Sequence, residues 1–224
     1  MLKRIITALV ATVVFIPILI FSHTWAFPIA MAVAAFIGCF EMISCVGKRK
    51  NFFFTVPICL SSVFFPLAVR YSYLAGISFS DFALFAFGIA LIFALYVFAV
   101  AVFDNKNTSV TNAALLYVAC LYIISAFTAI VYIRDYVPYG EYVYLLAFIC
   151  AWMTDIFAYF TGRLFGKHKL IESVSPKKTV EGSIGGIAFC VISLIVFGLI
   201  IDNCFDSEGI IKAHYGILAI SGIF

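Results

Sequence analysis

The sequence predicts an all-α fold, a polytopic transmembrane helical bundle, and three observations carry that prediction. Of its 224 residues, 65% are hydrophobic and only 11% are charged, against about a quarter charged in soluble domains. So little charge cannot cover a water-exposed surface. Apolar runs of about 20 residues, the length that crosses a bilayer, recur from one end to the other. Segments such as FALFAFGIALIFALYVFAVAVF lack the period-two alternation of a transmembrane β-barrel.

Taken in order, the spans are 5–21, 24–46, 52–69, 79–103, 112–133, 142–161 and 183–201, seven complete ones, with the start of an eighth from 214 onward. The opening MLKR and its apolar run read as an uncleaved first helix, because further spans follow at once and no small-residue cleavage site comes directly after. Pro17, Pro28, Pro57 and Pro66 fall inside spans, where membrane helices tolerate proline better than soluble ones do. Basic residues set the orientation. With a cytosolic N-terminus, eleven of the fourteen lie inside: Lys3, Arg4, Lys48, Arg49, Lys50, Lys106, Arg163, Lys167, Lys169, Lys177 and Lys178. Arg70, Arg134 and Lys212 lie outside. The net charge of +3 gives no reason to expect a nucleic-acid partner.

Cysteine and histidine add little. The seven cysteines make no C-x-x-C pair and read as small apolar fillers, and His23, His168 and His214 have no metal-ligand spacing.

The sixth span and the loop after it are specific. TGRLFGKHKLIESVSPKKTVEGSIGG, residues 161–186, holds five of the fourteen Lys and Arg residues. Gly162 to Lys167 looks like a nucleotide phosphate loop but is one residue short between its glycines. His168 also stands where Ser or Thr would coordinate magnesium. The glycines and cations still suit an anion that backbone N–H groups can approach. Topology alone accounts for basic residues in a cytosolic loop. It does not account for Ser175-Pro176 or for Gly182, Gly185 and Gly186.

Asp155, Tyr159 and Arg163 are spaced i, i+4 and i+8 and share one helical face. Asp155 lies about 12 Å deeper along the axis than Arg163, which places a carboxylate at membrane depth. Glu41 sits about 10 Å short of Lys48 on the second span in the same way. The alternative for Asp155 is a structural salt bridge to a neighbouring helix, and a structural role is open for Glu41 too. Together they suggest a polar cavity, negative at its floor and cationic at its rim, suited to a phosphorylated substrate delivered with a divalent cation.

DIFAYFTGRLFGKHKLIESVSPKKTVEGSIGG, residues 155–186, resembles the signature segment of the CDP-diacylglycerol synthases, the phosphatidate cytidylyltransferases. That pattern runs D-x-x-A-Y-x-x-G-R-x-F-G-K-H-K-L…S-P-K-K-T-x-E-G…G-G. The chain departs from it at Val180, where Trp is usual, and at Phe157, where a small residue is common. The family's second signature, ending in H-G-G-x-x-D-R-x-D, is absent, so 1–224 is expected to be a single integral membrane cytidylyltransferase domain that is incomplete at its C-terminus and inactive alone.

The resemblance implies that phosphatidate and CTP give CDP-diacylglycerol and pyrophosphate, with Mg²⁺ as cofactor, in phospholipid biosynthesis. It implies catalytic roles for Asp155, Lys177 and Lys178, with Asp155 also toward the metal. Arg163, Lys167, His168, Lys169, Ser175, Thr179 and Glu181 are expected to bind substrate. The expected setting is a cell membrane, among lipids, with the site facing the cytosol. A homodimer is left open. The competing readings are another CTP-using membrane lipid enzyme such as a polyprenol kinase, a transporter of a phosphorylated solute, and a membrane scaffold. The GKHKL…SPKKT spacing favours the synthase, and no inverted repeat supports a transporter. The D-G-x-x-A-R run of CDP-alcohol phosphotransferases is absent.

Overall fold

The computed structural model describes residues 13–47, 51–104, 109–172, 175–204 and 222. Residues 13–20 are helical. Six long helices follow: α1 (Ala26–Cys45), α2 (Phe52–Leu74), α3 (Phe79–Phe103), α4 (Val110–Tyr136), α5 (Gly140–Phe165) and α6 (Val180–Cys204). All six are long and apolar enough to cross a membrane. They cover the six inner spans expected from sequence. Residues 5–12 of the expected first span, all of the eighth but residue 222, and the cations at 3, 4, 48–50, 106 and 212 lie outside the described residues.

Side chains cap the helices where the backbone ladder runs out. Asn51 accepts from Phe53 N at 3.0 Å and Ser109 from Asn112 N at 3.2 Å. Ser78 accepts from Asp81 N at 3.2 Å while its hydroxyl donates to the Asp81 carboxylate at 2.7 Å, a reciprocal cap on α3. Pro28 sits in the first turn of α1, where no intrahelical N–H is missed. Pro57 lies inside α2 and removes the bond that the Phe53 carbonyl would accept. The Tyr96 hydroxyl of α3 donates to that carbonyl instead, at 2.8 Å.

The chain divides into two compact units, Met1–Glu141 and Tyr142–Phe224. In the first, α1, α2 and α4 pack mutually, and α3 lies mainly against α4. Their core holds Cys39 and Ile43, Phe54 and Ile58, Val97 and Ala101, and Leu116 and Cys120. At the α2 C-terminus, Arg70 pairs with Asp135 of α4 and donates to the His23 carbonyl. Arg134 also reaches Asp135, at 2.9 Å. The Asp135 side chain is fully buried. Charge counting assigns Arg70 and Arg134 an orienting role only, and the structure adds their carboxylate partner.

In the second unit α5 and α6 run antiparallel. Phe157 stacks on Phe189 with ring centroids 4.1 Å apart, and Cys190 and Leu194 pack on Leu146, Ile149 and Cys150. Between the helices the chain forms a two-stranded antiparallel hairpin, β1 (Lys169–Ile171) and β2 (Ser175–Thr179). The all-α expectation therefore holds for the spans and needs this hairpin added. Its register is irregular between Lys169↔Thr179 and Ile171↔Ser175, and Pro176 is tolerated because a two-stranded ribbon consists of edges.

Removing one partner of a buried ion pair strands the other charge. Asp135→Asn is expected to lower stability by about 3 kcal/mol, read as a fall in the midpoint of thermal unfolding in detergent. Arg134→Gln, at a side chain 15% exposed, should cost less than Arg70→Gln, at one 6% exposed.

Candidate active site

The last three turns of α5 present Asp155, Ala158, Tyr159, Gly162 and Arg163 to one cavity of about 460 Å³. The expected face is therefore real, and on it Arg163 donates to the Tyr159 hydroxyl at 3.2 Å. Lys177, Lys178 and Thr179 of β2, with Gly182, Ser183 and Ile187 of α6, also line it. Three cations and one carboxylate thus border a single space. Asp155, Arg163, Lys177 and Lys178 are all exposed, so none of the four is sealed inside the protein.

The helix pair approaches closely enough to build this cavity because its contact residues are small. A Cβ on Gly182 would lie 2.8 Å from the Ala158 carbonyl oxygen and 2.9 Å from Thr179 Oγ1. One on Gly185 would overlap the Thr161 side chain. Topology alone left Gly182, Gly185 and Gly186 unexplained. Here they let one helix approach another, and the Gly182 N–H is already taken by Thr179 Oγ1 at 3.2 Å. Thr179 is thereby the N-cap of α6. Thr161 was overlooked: its hydroxyl lies 2.6 Å from the Phe157 carbonyl and 3.3 Å from that of Gly182. The small-residue spacing of Gly182, Gly185 and Gly186 is the signal that could have found this interface.

Five expected substrate-binding residues divide differently. Lys167, His168, Lys169, Ser175 and Glu181 do not line the cavity. The Lys169 ammonium donates to the Pro176 carbonyl across the hairpin at 2.6 Å. Glu181 accepts from the backbone N–H groups of Lys167 at 3.1 Å and His168 at 3.2 Å, and lies 2.6 Å from His168 Nδ1. Ser175 opens β2, half-buried. Glu41, the second expected carboxylate, is exposed near the end of α1 in the N-terminal unit. Among the described residues no group of three or more His, Cys, Asp or Glu side chains comes together to hold a metal.

A chain of membrane-length helices with cations and a carboxylate around one pocket is laid out for an enzyme that handles phosphate groups. The chain belongs to the cytidylyltransferase family, whose model matches residues 2–224, across both compact units. It is a nucleotidyltransferase. It is similar to the phosphatidate cytidylyltransferase of Bacillus subtilis, 30% identical over 206 residues, covering 89% of this chain and 72% of that protein. The one from Staphylococcus saprophyticus is 31% identical over 199 residues with the same shares. The one from Staphylococcus haemolyticus is 48% identical over 63 residues, 28% of this chain. No solved structure matches the chain.

Overpacking a close helix contact typically costs about 1–3 kcal/mol. Gly182→Val, whose added atoms meet backbone, is expected to reach the upper end of that range. Gly88→Val, at a glycine of α3 with open space around its Cα, should be near neutral. Thermal unfolding of the two variants in detergent checks the difference.

Proposed function

We propose that this protein transfers CMP from CTP to phosphatidate, giving CDP-diacylglycerol and pyrophosphate. The observation that carries the reading is the single cavity that brings Asp155 together with Arg163, Lys177 and Lys178. The names of the relatives support the same lipid substrate. In the reaction a phosphatidate oxygen bonds to the α-phosphorus of CTP. The bond from that phosphorus to the bridging oxygen breaks, and its electron pair leaves with pyrophosphate. Little covalent chemistry falls to the protein, so positioning and charge neutralisation are its main contributions. Lys177 and Lys178 contact phosphate oxygens, and Arg163 makes a bidentate contact. Thr179 lines the cavity, and its hydroxyl, which accepts from Gly182 N, can still donate to a phosphate oxygen, whereas Ser175, outside the cavity wall, opens the strand that carries the two lysines. Lys167, His168 and Lys169, outside the cavity wall, act by supporting the hairpin.

Asp155 supplies the only carboxylate among the residues lining the cavity. That donor set fits Mg²⁺, which commonly takes one or two carboxylates and completes its shell with substrate phosphates and water. Asp155 would hold the ion, which when bound supplies further neutralisation of phosphate charge.

Losing one charge-assisted phosphate contact in the transition state costs roughly 2–4 kcal/mol, or about 30- to 1,000-fold in rate. Lys178→Ala should therefore lose that much CMP transfer from labelled CTP to lipid at saturating CTP. Lys50→Ala, a loss of the same charge where no motif surrounds it, should lose little. Similar small effects from both, with membrane insertion verified, would reduce Lys178 to a topological anchor.

The site faces the cytosol, where CTP is available and phosphatidate presents its headgroup from the leaflet. The eleven-to-three division of basic residues supports this orientation. Helix α5 has 26 residues, about 39 Å of rise, enough to put its two ends on opposite sides. A cysteine replacing Glu172 should be shielded from a membrane-impermeant thiol reagent in intact cells, and one replacing Glu141 should react. Labelling at position 172 from outside would reverse the orientation.

A further inference from the structure

Two of the cavity's three cations stand on a weak element. β1 has three residues and β2 five, and an isolated two-stranded hairpin is marginally stable at best in water. Its strand residues are mostly exposed, with Thr179 the buried exception. Something other than a core must hold Lys177 and Lys178 in place.

The hold is at the base. His168 and Val180 flank the hairpin, and the Val180 N–H donates to the His168 carbonyl at 3.0 Å. Glu181, next in the chain and in the first turn of α6, receives the N–H groups of Lys167 and His168. Both its oxygens lie within 3.2 Å of His168 N, and Oε1 is also 2.6 Å from His168 Nδ1. The incoming strand is thus tied to the helix that the outgoing strand becomes. A carboxylate near a helix N-terminus is also favoured by the helix dipole. We infer that Glu181 is a positioning residue for cytidylyl transfer: its carboxylate clamps the Lys167–His168 backbone to the first turn of α6 and so holds Lys177 and Lys178 against the cavity. This rests on the reading that the cavity is the transfer site. A direct contact with substrate fits less well, because both oxygens are engaged and a carboxylate repels phosphate.

The test compares Glu181→Ala, Glu181→Gln and Lys178→Ala in the membrane-reconstituted protein. It reads CMP transfer, the rate of trypsin cleavage after Lys177 and Lys178, and the thermal midpoint. A small misplacement of a catalytic group can cost about 100-fold. Glu181→Ala is expected to lose activity by about 10- to 100-fold and to be cut faster in the hairpin, with the thermal midpoint unmoved because the helix pair keeps its contacts. Glu181→Gln should recover part of both, since its amide oxygen still accepts from backbone N–H groups. Lost activity with unchanged cleavage would overturn the clamp in favour of a direct role. Faster cleavage with full activity would overturn it as a positioning device. If Lys178→Ala also keeps full activity, it is the cavity reading that has failed, and the positioning role falls with it.

Discussion

The close approach of α5 and α6 is the constraint on which the site depends. Side chains across it are Ala158, Gly162, Gly182 and Gly186, with Thr161 and Thr179 filling what remains. In a bilayer there is no hydrophobic force to bring two apolar helices together, so contact comes from backbones that fit and from the few hydrogen bonds between them. Thr161 to the Gly182 carbonyl is such a bond. Because the helices are antiparallel and tight at this end, Asp155 and Arg163 face β2 and the start of α6 across a space that remains narrow. The geometry of the charges follows from the absence of side chains elsewhere.

The cations of the loop then separate by function. Arg163 is steadied by Tyr159, and Lys177 and Lys178 border the cavity. Lys169 closes the hairpin onto Pro176, and Lys167 contributes its backbone N–H to Glu181. A run that looks like one basic patch in the sequence is therefore partly ligand-facing and partly scaffold. Polar groups that tie down a short exposed element do so cheaply, because their desolvation cost is small at an exposed site.

The helices were legible because membrane spans announce themselves by length and apolarity alone. Their ends were less so. The span expected at 52–69 continues to Leu74 as α2, because Arg70 reads as a terminator until Asp135 neutralises it within the protein. The shared face of Asp155, Tyr159 and Arg163 followed from helical spacing. The hairpin did not, since Ser-Pro-Lys-Lys-Thr has poor strand propensity and pairs only because its ends are held. The role of Gly182, Gly185 and Gly186 stayed open for a related reason: their partners, twenty or more residues earlier, are identified only when the antiparallel pairing of α5 and α6 is known.

The carbonyl that Pro57 leaves without its helical donor has a consequence for α3. That helix is apolar on nearly every side, so dispersion forces would hold it almost equally well after a small slide or rotation. Two tyrosine hydroxyls remove this degeneracy. Tyr96 reaches out from α3 to Phe53 at 2.8 Å, and Tyr117 of α4 reaches in to Ala90 at 2.9 Å. Each is a fixed peg in an otherwise smooth bearing. A proline that would count as a defect in a soluble helix here supplies the notch that indexes its neighbour.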